Sequence, residues 1–477
     1  MQNIIFSKNS ILINLAILAI SFLCLLYLTI NSSVTIFLIV LLSIILSSYF
    51  ILEKKFVLFN PFTVFTLYFY TVVISSLYLY TSNFEKSVFI NDQSFSTPLI
   101  ELLNISLVYI IVSYIFAYLG YRTFRKNFKP NIDLNSDGIS IKVLNITIVV
   151  FAIIGTFNFI FNVLLFAGGN PFEYISNVST RHLEWKNIGG TTLGYLFGYV
   201  AGYLWLYKIL KLNKKISILF LFYVFITIFM KASTGRIFGT LIYALSYLVI
   251  YYFVCFDVQS KKHKKYFLIL FLISFMGLLF YFFRITSSLA YNNLLSTDFL
   301  STILEFFKGD LIMYYAVDKG NIPNIAVLMK IIDGWGIDTP FLYGESLFTW
   351  MYGVIPSNIR PEGYQPSVII KHVWYSYTPG GHLPPTGMGE MYANFWYFGA
   401  VFGMYLFGSF TALIYNLLKR FNNYWYLVVY TNITLGFILL YPKGEFDNLS
   451  FWAALPIGLT YLLLKFIIIL SRRKNEN

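Results

Sequence analysis

Apolar residues occur along this chain in runs of roughly 15 to 26, separated by short charged or Gly/Pro-containing segments. A helix needs about 20 consecutive apolar residues to cross the ~30 Å hydrocarbon core of a bilayer. The pattern predicts twelve transmembrane helices, at residues 11–30, 34–52, 62–82, 100–120, 143–167, 191–209, 216–230, 237–256, 266–283, 392–417, 424–441 and 450–470. We therefore expect an all-α, polytopic integral membrane protein.

The composition excludes a soluble enzyme, a disordered chain and a fibrous protein. Of 477 residues, 58% are apolar and 12% are charged, whereas about 25% charged residues is usual in soluble domains. Cys24 and Cys255 both fall inside apolar runs, so they indicate small buried side chains and no disulfide framework. The first run lacks a small-residue cleavage site, which favours a retained span over a cleaved signal peptide.

The charges predict the orientation, because Lys and Arg accumulate in cytoplasmic loops. If both termini are cytoplasmic, the inside segments carry 21 cations and five acids, and the outside segments carry twelve cations and sixteen acids. This asymmetry predicts a multi-pass protein with both termini in the cytoplasm. It also accounts for the net charge of +13 without a nucleic-acid partner.

One segment between predicted spans is much longer than the others. Residues 284–391 are expected outside and contain eight of the fourteen prolines. The chain is thus predicted to divide into a nine-span region (1–283), a large extracytoplasmic loop with short or interfacial helices (284–391), and a three-span region with a cytoplasmic C-terminus (392–477). Because loops longer than ~15 residues are usually functional, we expect any chemistry on the outer face.

Several common catalytic motifs are absent from the sequence. It contains no GxxxxGK[ST] phosphate loop, no HExxH, no CxxC and no GxSxG. The first predicted outer loop, Asn31 to Ser33, has no carboxylate, which argues against a DxD-held metal. We therefore expect no metal ion and no cofactor.

Cations on the predicted outer side are the candidates for binding an anion. Lys231 and Arg236 flank the small residues at the outward-facing N-terminus of the eighth predicted span. A helix N-terminus binds phosphate through its N–H groups and dipole, and an arginine adds a planar fork. The alternative is that both side chains snorkel at the membrane boundary. Arg284, Arg360 and Arg181 are further candidates for the same anion, and each is alternatively an ordinary surface arginine.

Glu390 and His382 are the candidate bases, in the stretch that enters the tenth predicted span. Glu390 would serve as a general base or accept a hydrogen bond from a sugar hydroxyl. The structural alternative is that Glu390 compensates a helix dipole while Thr386 caps the helix. His382 is either a second candidate base or a locally hydrogen-bonded loop residue.

The chain resembles the Wzy-type polymerases of O-antigen and capsular oligosaccharide repeat units. The resemblance covers the predicted topology over the whole length, with about twelve spans, cytoplasmic termini and a dominant outer loop late in the chain. Two stretches sharpen it: Ser233 to Gly239 (STGRIFG), and Pro384 to Gly399 (PPTGMGEMYANFWYFG).

The resemblance implies a glycosyl transfer on the outer leaflet of the bacterial cytoplasmic (inner) membrane. A growing glycan on undecaprenyl pyrophosphate would be moved to the non-reducing end of a new lipid-linked repeat unit. The cations would then bind the pyrophosphate, and Glu390 or His382 would act on the acceptor hydroxyl. The implied partners are the lipid-linked oligosaccharide, membrane lipids, a chain-length regulator and a flippase.

Three other classes of protein remain open at this point. An O-antigen ligase has a similar topology and outer loop but uses a different acceptor. A lipid-linked-oligosaccharide flippase is expected to show two similar halves and no long outer loop. A structural or assembly protein would need no clustered outer cations.

Overall fold

The computed structural model describes residues 34–53, 57–85, 87–91, 93–126, 132, 134, 140–170, 194–232, 237–255, 317, 322–349, 351, 365–375, 383–446, 462 and 466. Thirteen α-helices have bounds within these ranges: α1 (Val34–Leu52), α2 (Pro61–Thr81), α3 (Val88–Asn91), α4 (Leu99–Phe124), α5 (Ile141–Ala167), α6 (Gly194–Lys211), α7 (Ile218–Ala232), α8 (Ile237–Cys255), α9 (Ile325–Gly334), α10 (Pro366–Val373), α11 (Gly387–Phe395), α12 (Met404–Phe421) and α13 (Tyr424–Ile433). The described residues contain no β-strand.

The prediction of an all-α membrane protein is confirmed at this level. Within the described ranges, five helices are long and apolar enough to cross a membrane: Val34–Leu52, Pro61–Thr81, Leu99–Phe124, Ile141–Phe166 and Gly399–Phe421. The helices α7 and α8 are shorter but also apolar. The predicted spans 11–30 and 266–283 lie outside the described residues, as does 450–470 apart from Leu462 and Phe466.

The predicted span 392–417 is wrong at its start, because the apolar run contains a helix break. Helix α11 ends at Phe395, and Trp396 then takes a φ of 54° before a π-helical turn at Gly399–Gly403 leads into α12. Gly399 lies so close to α11 that a Cβ there would be 2.2 Å from the Met391 carbonyl oxygen. Because the residues before and after this helix break are mostly apolar, a hydropathy pattern does not reveal it.

The described helices belong to two compact units whose sequence segments interleave. The first unit comprises residues 1–127, 310–417 and 437–452, and the second comprises 128–309, 418–436 and 453–477. The contiguous three-part division expected from the sequence stays a prediction.

In the first unit, α4 and α12 cross at small residues. A Cβ on Gly120 would lie 2.1 Å from the Tyr405 carbonyl oxygen, and one on Gly408 would lie 1.8 Å from the Ala117 carbonyl oxygen. Membrane helices approach this closely where side chains are small, because packing rather than water exclusion holds them together. The two glycines therefore set the distance between these helices.

Polar contacts join helix ends at one side of the first unit. Arg125, after the end of α4, forms an ion pair with Glu53, after the end of α1. The Tyr121 hydroxyl donates to Asn60 Oδ1 at 2.9 Å, and Asn416 Nδ2 donates to the Phe124 carbonyl at 2.7 Å. The C-terminal ends of α1, α4 and α12 and the start of α2 thus meet at one end.

Helix α9 lies at the opposite ends of α2 and α4, and all ten of its residues are buried. Its first residue, Ile325, donates its backbone N–H to Ser75 Oγ on α2 at 3.5 Å. Its last turn carries Asp333, whose Oδ1 accepts from the Ser96 hydroxyl at 2.6 Å just before α4. The segment expected to form the outer loop therefore contains a helix enclosed by other elements.

The second unit contains α5, α6, α7, α8 and α13. Helices α5 and α6 cross at Gly155 and Gly198, where a Cβ on Gly155 would lie 2.5 Å from the Gly198 Cα. A tyrosine hydroxyl also links elements here, since Tyr424 on α13 donates to the Tyr203 carbonyl of α6 at 2.8 Å.

Candidate functional site

Helix α11 positions Glu390 in its first turn. Thr386 is the N-cap, and its hydroxyl accepts a hydrogen bond from the Gly389 N–H at 3.0 Å. The cap at Thr386 is the one that the structural alternative for this stretch expected. Thr386 has a φ of 68°, which non-glycine residues rarely adopt and which persists only where the surrounding structure imposes it. The helix therefore begins at a strained, fully buried residue.

The Glu390 carboxylate is completely buried and hydrogen-bonded through both oxygens. Oε1 accepts from the Ser346 hydroxyl at 2.9 Å, and Oε2 accepts from the Phe446 backbone N–H at 2.6 Å. A buried carboxylate without hydrogen bonds would carry a large desolvation penalty. These two donors, from distant parts of the sequence, fix the position of the carboxylate.

Asn394, one helical turn after Glu390, orients the same group of residues. Its Nδ2 donates to Ser346 Oγ at 2.7 Å, and its Oδ1 accepts from the Gly344 N–H at 2.9 Å. The serine hydroxyl thus accepts from one side chain of α11 while it donates to another. Such a satisfied network holds the 344–346 turn rigidly against α11.

Glu445 is a second buried carboxylate, which the sequence reasoning missed. Its two oxygens accept from the Ser367 N–H at 3.0 Å and the Ser367 hydroxyl at 2.5 Å, at the start of α10. Its neighbour Phe446 binds Glu390, so one turn connects the N-terminal ends of α10 and α11. The available signal was a charged pair, Lys443 and Glu445, in a short predicted outer loop between apolar runs.

Lys443 stands in the same turn. Part of its side chain reaches the surface, but desolvation lowers the pKa of its ammonium group to about 7. Strongly perturbed pKa values are found at functional sites and also in structural networks. Lys443 therefore joins the candidate residues of this site.

Asp333 and Lys330 attach α9 to the chain before α4. Burial raises the pKa of the Asp333 carboxyl, but hydrogen bonds from Ser96 and Thr97 outweigh it and leave the pKa below its usual value. Lys330 Nζ donates to the Ser94 carbonyl at 2.8 Å and lies 5.5 Å from the centre of the Trp374 ring. These contacts hold α9, against which α11 packs, in place.

Lys231 belongs to the second unit and ends α7. Its Nζ lies 5.2 Å from the centre of the Tyr199 ring on α6, a cation–π distance. The side chain is half-buried. Its proposed role in binding an anion stays a prediction.

The remaining candidates fall outside the described residues. These are Arg181, Arg236, Arg284, Arg360 and His382. Among the residues that are described, no group of three or more His, Cys, Asp or Glu side chains is arranged to hold a metal ion.

The fold and the site define a multi-pass α-helical membrane protein with two buried glutamates, Glu390 and Glu445, each held by its own hydrogen-bond donors. Comparisons with protein-family models, with curated proteins and with solved structures found no match to this chain.

Proposed function

We propose that this protein is a membrane glycosyltransferase that polymerises lipid-linked oligosaccharide repeat units on the outer leaflet of the bacterial cytoplasmic membrane. The observation that carries the proposal is the Glu390 carboxylate, buried and fixed by Ser346 and Phe446. A charged group buried at this energetic cost is retained where it has a structural or chemical role. Ser346 and Phe446 both come from segments that the charge pattern assigns to the outer face.

The reaction proposed is a glycosyl transfer. The acceptor sugar hydroxyl attacks the anomeric carbon of the donor glycan, the bond from that carbon to the pyrophosphate oxygen breaks, and the lipid pyrophosphate leaves. The hydroxyl proton passes to a base, for which Glu390 is the first candidate and His382 the second. General-base catalysis of this kind contributes about 10²–10⁴-fold.

The leaving pyrophosphate gains negative charge as the bond breaks. Arg236 and Lys231 flank a predicted helix N-terminus, and Arg284, Arg360 and Arg181 are further cations on the predicted outer side. Cations and helix N-termini that are aimed at developing charge stabilise a transition state. No nucleotide sugar, ATP or metal takes part in the proposed reaction.

The proposed topology has twelve spans and both termini in the cytoplasm. Two contacts in the first unit support this topology, because each joins two helix ends that the charge pattern assigns to the same side of the membrane. Arg125 and Glu53 pair at ends expected inside, whereas Asp333 binds Ser96 at ends expected outside. Reporter fusions after Lys126 or Lys264 should be cytoplasmic, and a fusion near Gly363 should be external.

A deletion strain tests the function. The polymerase proposal expects loss of the long-chain glycan ladder while single-repeat glycans remain. Loss of glycan from the final acceptor, with polymer still present on the lipid, would identify a ligase. Accumulation of lipid-linked repeat units on the cytoplasmic leaflet would identify a flippase, and an unchanged ladder would exclude all three.

A further inference from the structure

Two neighbouring stretches of the first unit expose large apolar side chains. In the segment after α9, Tyr343, Phe348 and Met351 are 83%, 60% and 50% exposed. In the helix break between α11 and α12, Trp396 and Phe398 are 48% and 60% exposed. We call these five residues the apolar patch. Single exposed apolar residues are ordinary, but a cluster of them marks a site of interaction with a protein or a membrane.

Hydrogen bonds hold the two stretches side by side. The Leu342 N–H donates to the Ala393 carbonyl at 2.9 Å, and the Gly344 N–H donates to Asn394 Oδ1 at 2.9 Å. Tyr343 lies between these two anchored residues. The exposed part of the segment after α9 is therefore fixed against the end of α11, where the helix break begins.

Tyr343 and Trp396 also share an unusual backbone conformation. Their φ angles are 48° and 54°, in a region that bulky residues rarely adopt. Such strain persists only where the surrounding structure imposes it, and it is concentrated at functional positions. Both rings are nevertheless exposed, so the strained backbone brings aromatic side chains to the surface and not into the core.

The apolar patch continues into the exposed face of a helix that is long and apolar enough to cross a membrane. The ring of Phe398 lies 6.5 Å from that of Trp396 and 6.3 Å from that of Phe402, measured between ring centres. Phe402 belongs to the candidate span Gly399–Phe421. It is 64% exposed, and Leu406, four residues further along, is 67% exposed. In a spanning helix such an exposed apolar face contacts lipid, so the patch extends a lipid-facing surface past the end of the span.

The position at the end of a span sets the depth of the apolar patch. Trp and Tyr are enriched at the membrane–water boundary, because their rings combine an apolar body with a polar group. The segment after α9 also carries two exposed acids, Asp338 and Glu345. Charged side chains are costly in the hydrocarbon core, so this segment belongs at the level of the lipid headgroups.

We infer that the apolar patch binds the bilayer, with its side chains inserted at the boundary between headgroups and acyl chains beside the start of α12. Amphipathic protein surfaces of this kind bind membranes through their apolar area. The occupant is lipid and not a soluble protein, because the patch is continuous with the exposed face of a candidate span. Lipid contact is expected here whether or not the proposed reaction is correct.

The contact also bears on the site at Glu390. Ser346, whose hydroxyl donates to Glu390 Oε1 at 2.9 Å, lies between Tyr343 and Phe348 in the chain. Insertion of the apolar patch would therefore hold the Glu390 network near the membrane surface. A glycan attached to a membrane lipid would react at this level.

Site-directed spin labelling tests the contact in the full-length protein, reconstituted in vesicles of phosphatidylethanolamine and phosphatidylglycerol. A single cysteine replaces Tyr343 or Phe348 in a chain that carries Cys24→Ala and Cys255→Ala. Both labelled positions are exposed, so the label should leave the fold intact. Molecular oxygen concentrates in lipid and a neutral nickel chelate concentrates in water, so the ratio of the two accessibilities reports the surroundings of the label.

Two further positions calibrate the ratio. Leu406→Cys, on the exposed face of α12, is the lipid reference. Lys214→Cys, in the exposed segment between α6 and α7, is the water reference. We expect the oxygen-to-nickel ratio at Tyr343→Cys and Phe348→Cys to be several-fold higher than at Lys214→Cys, and no higher than at Leu406→Cys.

A ratio at Tyr343→Cys and Phe348→Cys equal to that at Lys214→Cys would place the patch in water and overturn the inference. Low accessibility to both reagents would show that protein covers the patch, which would also overturn it. Lipid contact as expected, in a protein whose deletion leaves the glycan ladder unchanged, would keep the membrane contact and reject the proposed function.

Discussion

The Ser346 hydroxyl donates a 2.9 Å hydrogen bond to Oε1 of Glu390, 44 residues further along the chain. The same serine accepts from Asn394, so its hydroxyl links two polar groups of α11. Removal of the serine hydroxyl takes one hydrogen-bond partner from Glu390 and one from Asn394, and each buried polar group left unsatisfied costs about 1–3 kcal/mol. The stability of this part of the protein should therefore depend on a single hydroxyl.

Ser346→Ala should lower the free energy of unfolding by about 1–3 kcal/mol, because Glu390 and Asn394 both lose a partner. The measurement is thermal or denaturant unfolding of the purified protein in detergent. Ser106→Ala is the control: Ser106 is also fully buried, but within the described part of the chain its hydroxyl bonds only to the Leu102 carbonyl of its own helix. Equal losses in the two variants would contradict the role given to Ser346.

Glu390→Gln separates the charge of this residue from its shape. The glutamine oxygen can still accept from the Phe446 N–H, and its amide can donate to Ser346, so we expect a melting temperature close to that of the wild type. Polymer should nevertheless be abolished, because an amide is no general base. Normal polymer ladders at matched membrane levels would assign Glu390 a structural role and leave His382 as the next candidate.

Gly120→Val should destabilise the first unit by about 1–3 kcal/mol or more, since overpacking of a close contact has this cost. The added side chain would meet the Tyr405 carbonyl across the α4–α12 crossing. Membrane abundance and the melting temperature measure the effect. Leu119→Val, at the adjacent and 43% exposed position, should change neither, and a Gly120→Val protein as stable as that control would refute the close crossing.

Asp333 should make stability depend on pH in the acid range. Its pKa is lower in the folded protein than in the unfolded chain because Ser96 and Thr97 stabilise the carboxylate against the opposing effect of burial. The stabilisation is therefore present above about pH 4, the unfolded value, and is lost as the pH falls through the lower folded pKa. Melting temperatures of the wild type and Asp333→Asn should differ at pH 7 and converge towards pH 3; a constant difference would contradict the assignment.

Arg236 and Arg284 should matter for turnover if they bind the leaving pyrophosphate. A charge-assisted bidentate contact is worth about 1.5–3 kcal/mol, so each alanine variant should slow polymer formation by about 10-fold to 100-fold. Arg236→Lys keeps the charge but not the planar fork, so it should be more active than Arg236→Ala and less active than the wild type. Polymer ladders at matched protein levels are the measurement. Wild-type ladders from both alanine variants would show that neither arginine is needed to bind the pyrophosphate. Arg360 and Arg181 would then be the remaining arginine candidates.

The sequence by itself determined the class of this protein and the position of most of its described helices. Long apolar runs are sufficient for this, because a segment of about 20 apolar residues satisfies its own backbone as a helix in lipid. The bounds of α1, α2 and α4 accordingly agree with the predicted spans to within a few residues at most ends. Thr386 as the start of α11 was also predictable, because helix capping is a local property.

Only the tertiary structure decided what surrounds Glu390. Ser346, Asn394 and Phe446 come from separate stretches of the chain, and no local pattern relates them. The break at Trp396 was equally hidden, since a positive φ in an apolar run depends on how closely Gly399 approaches Met391. Hydropathy records which residues avoid water, whereas the pairing of buried polar atoms depends on which distant segments pack together.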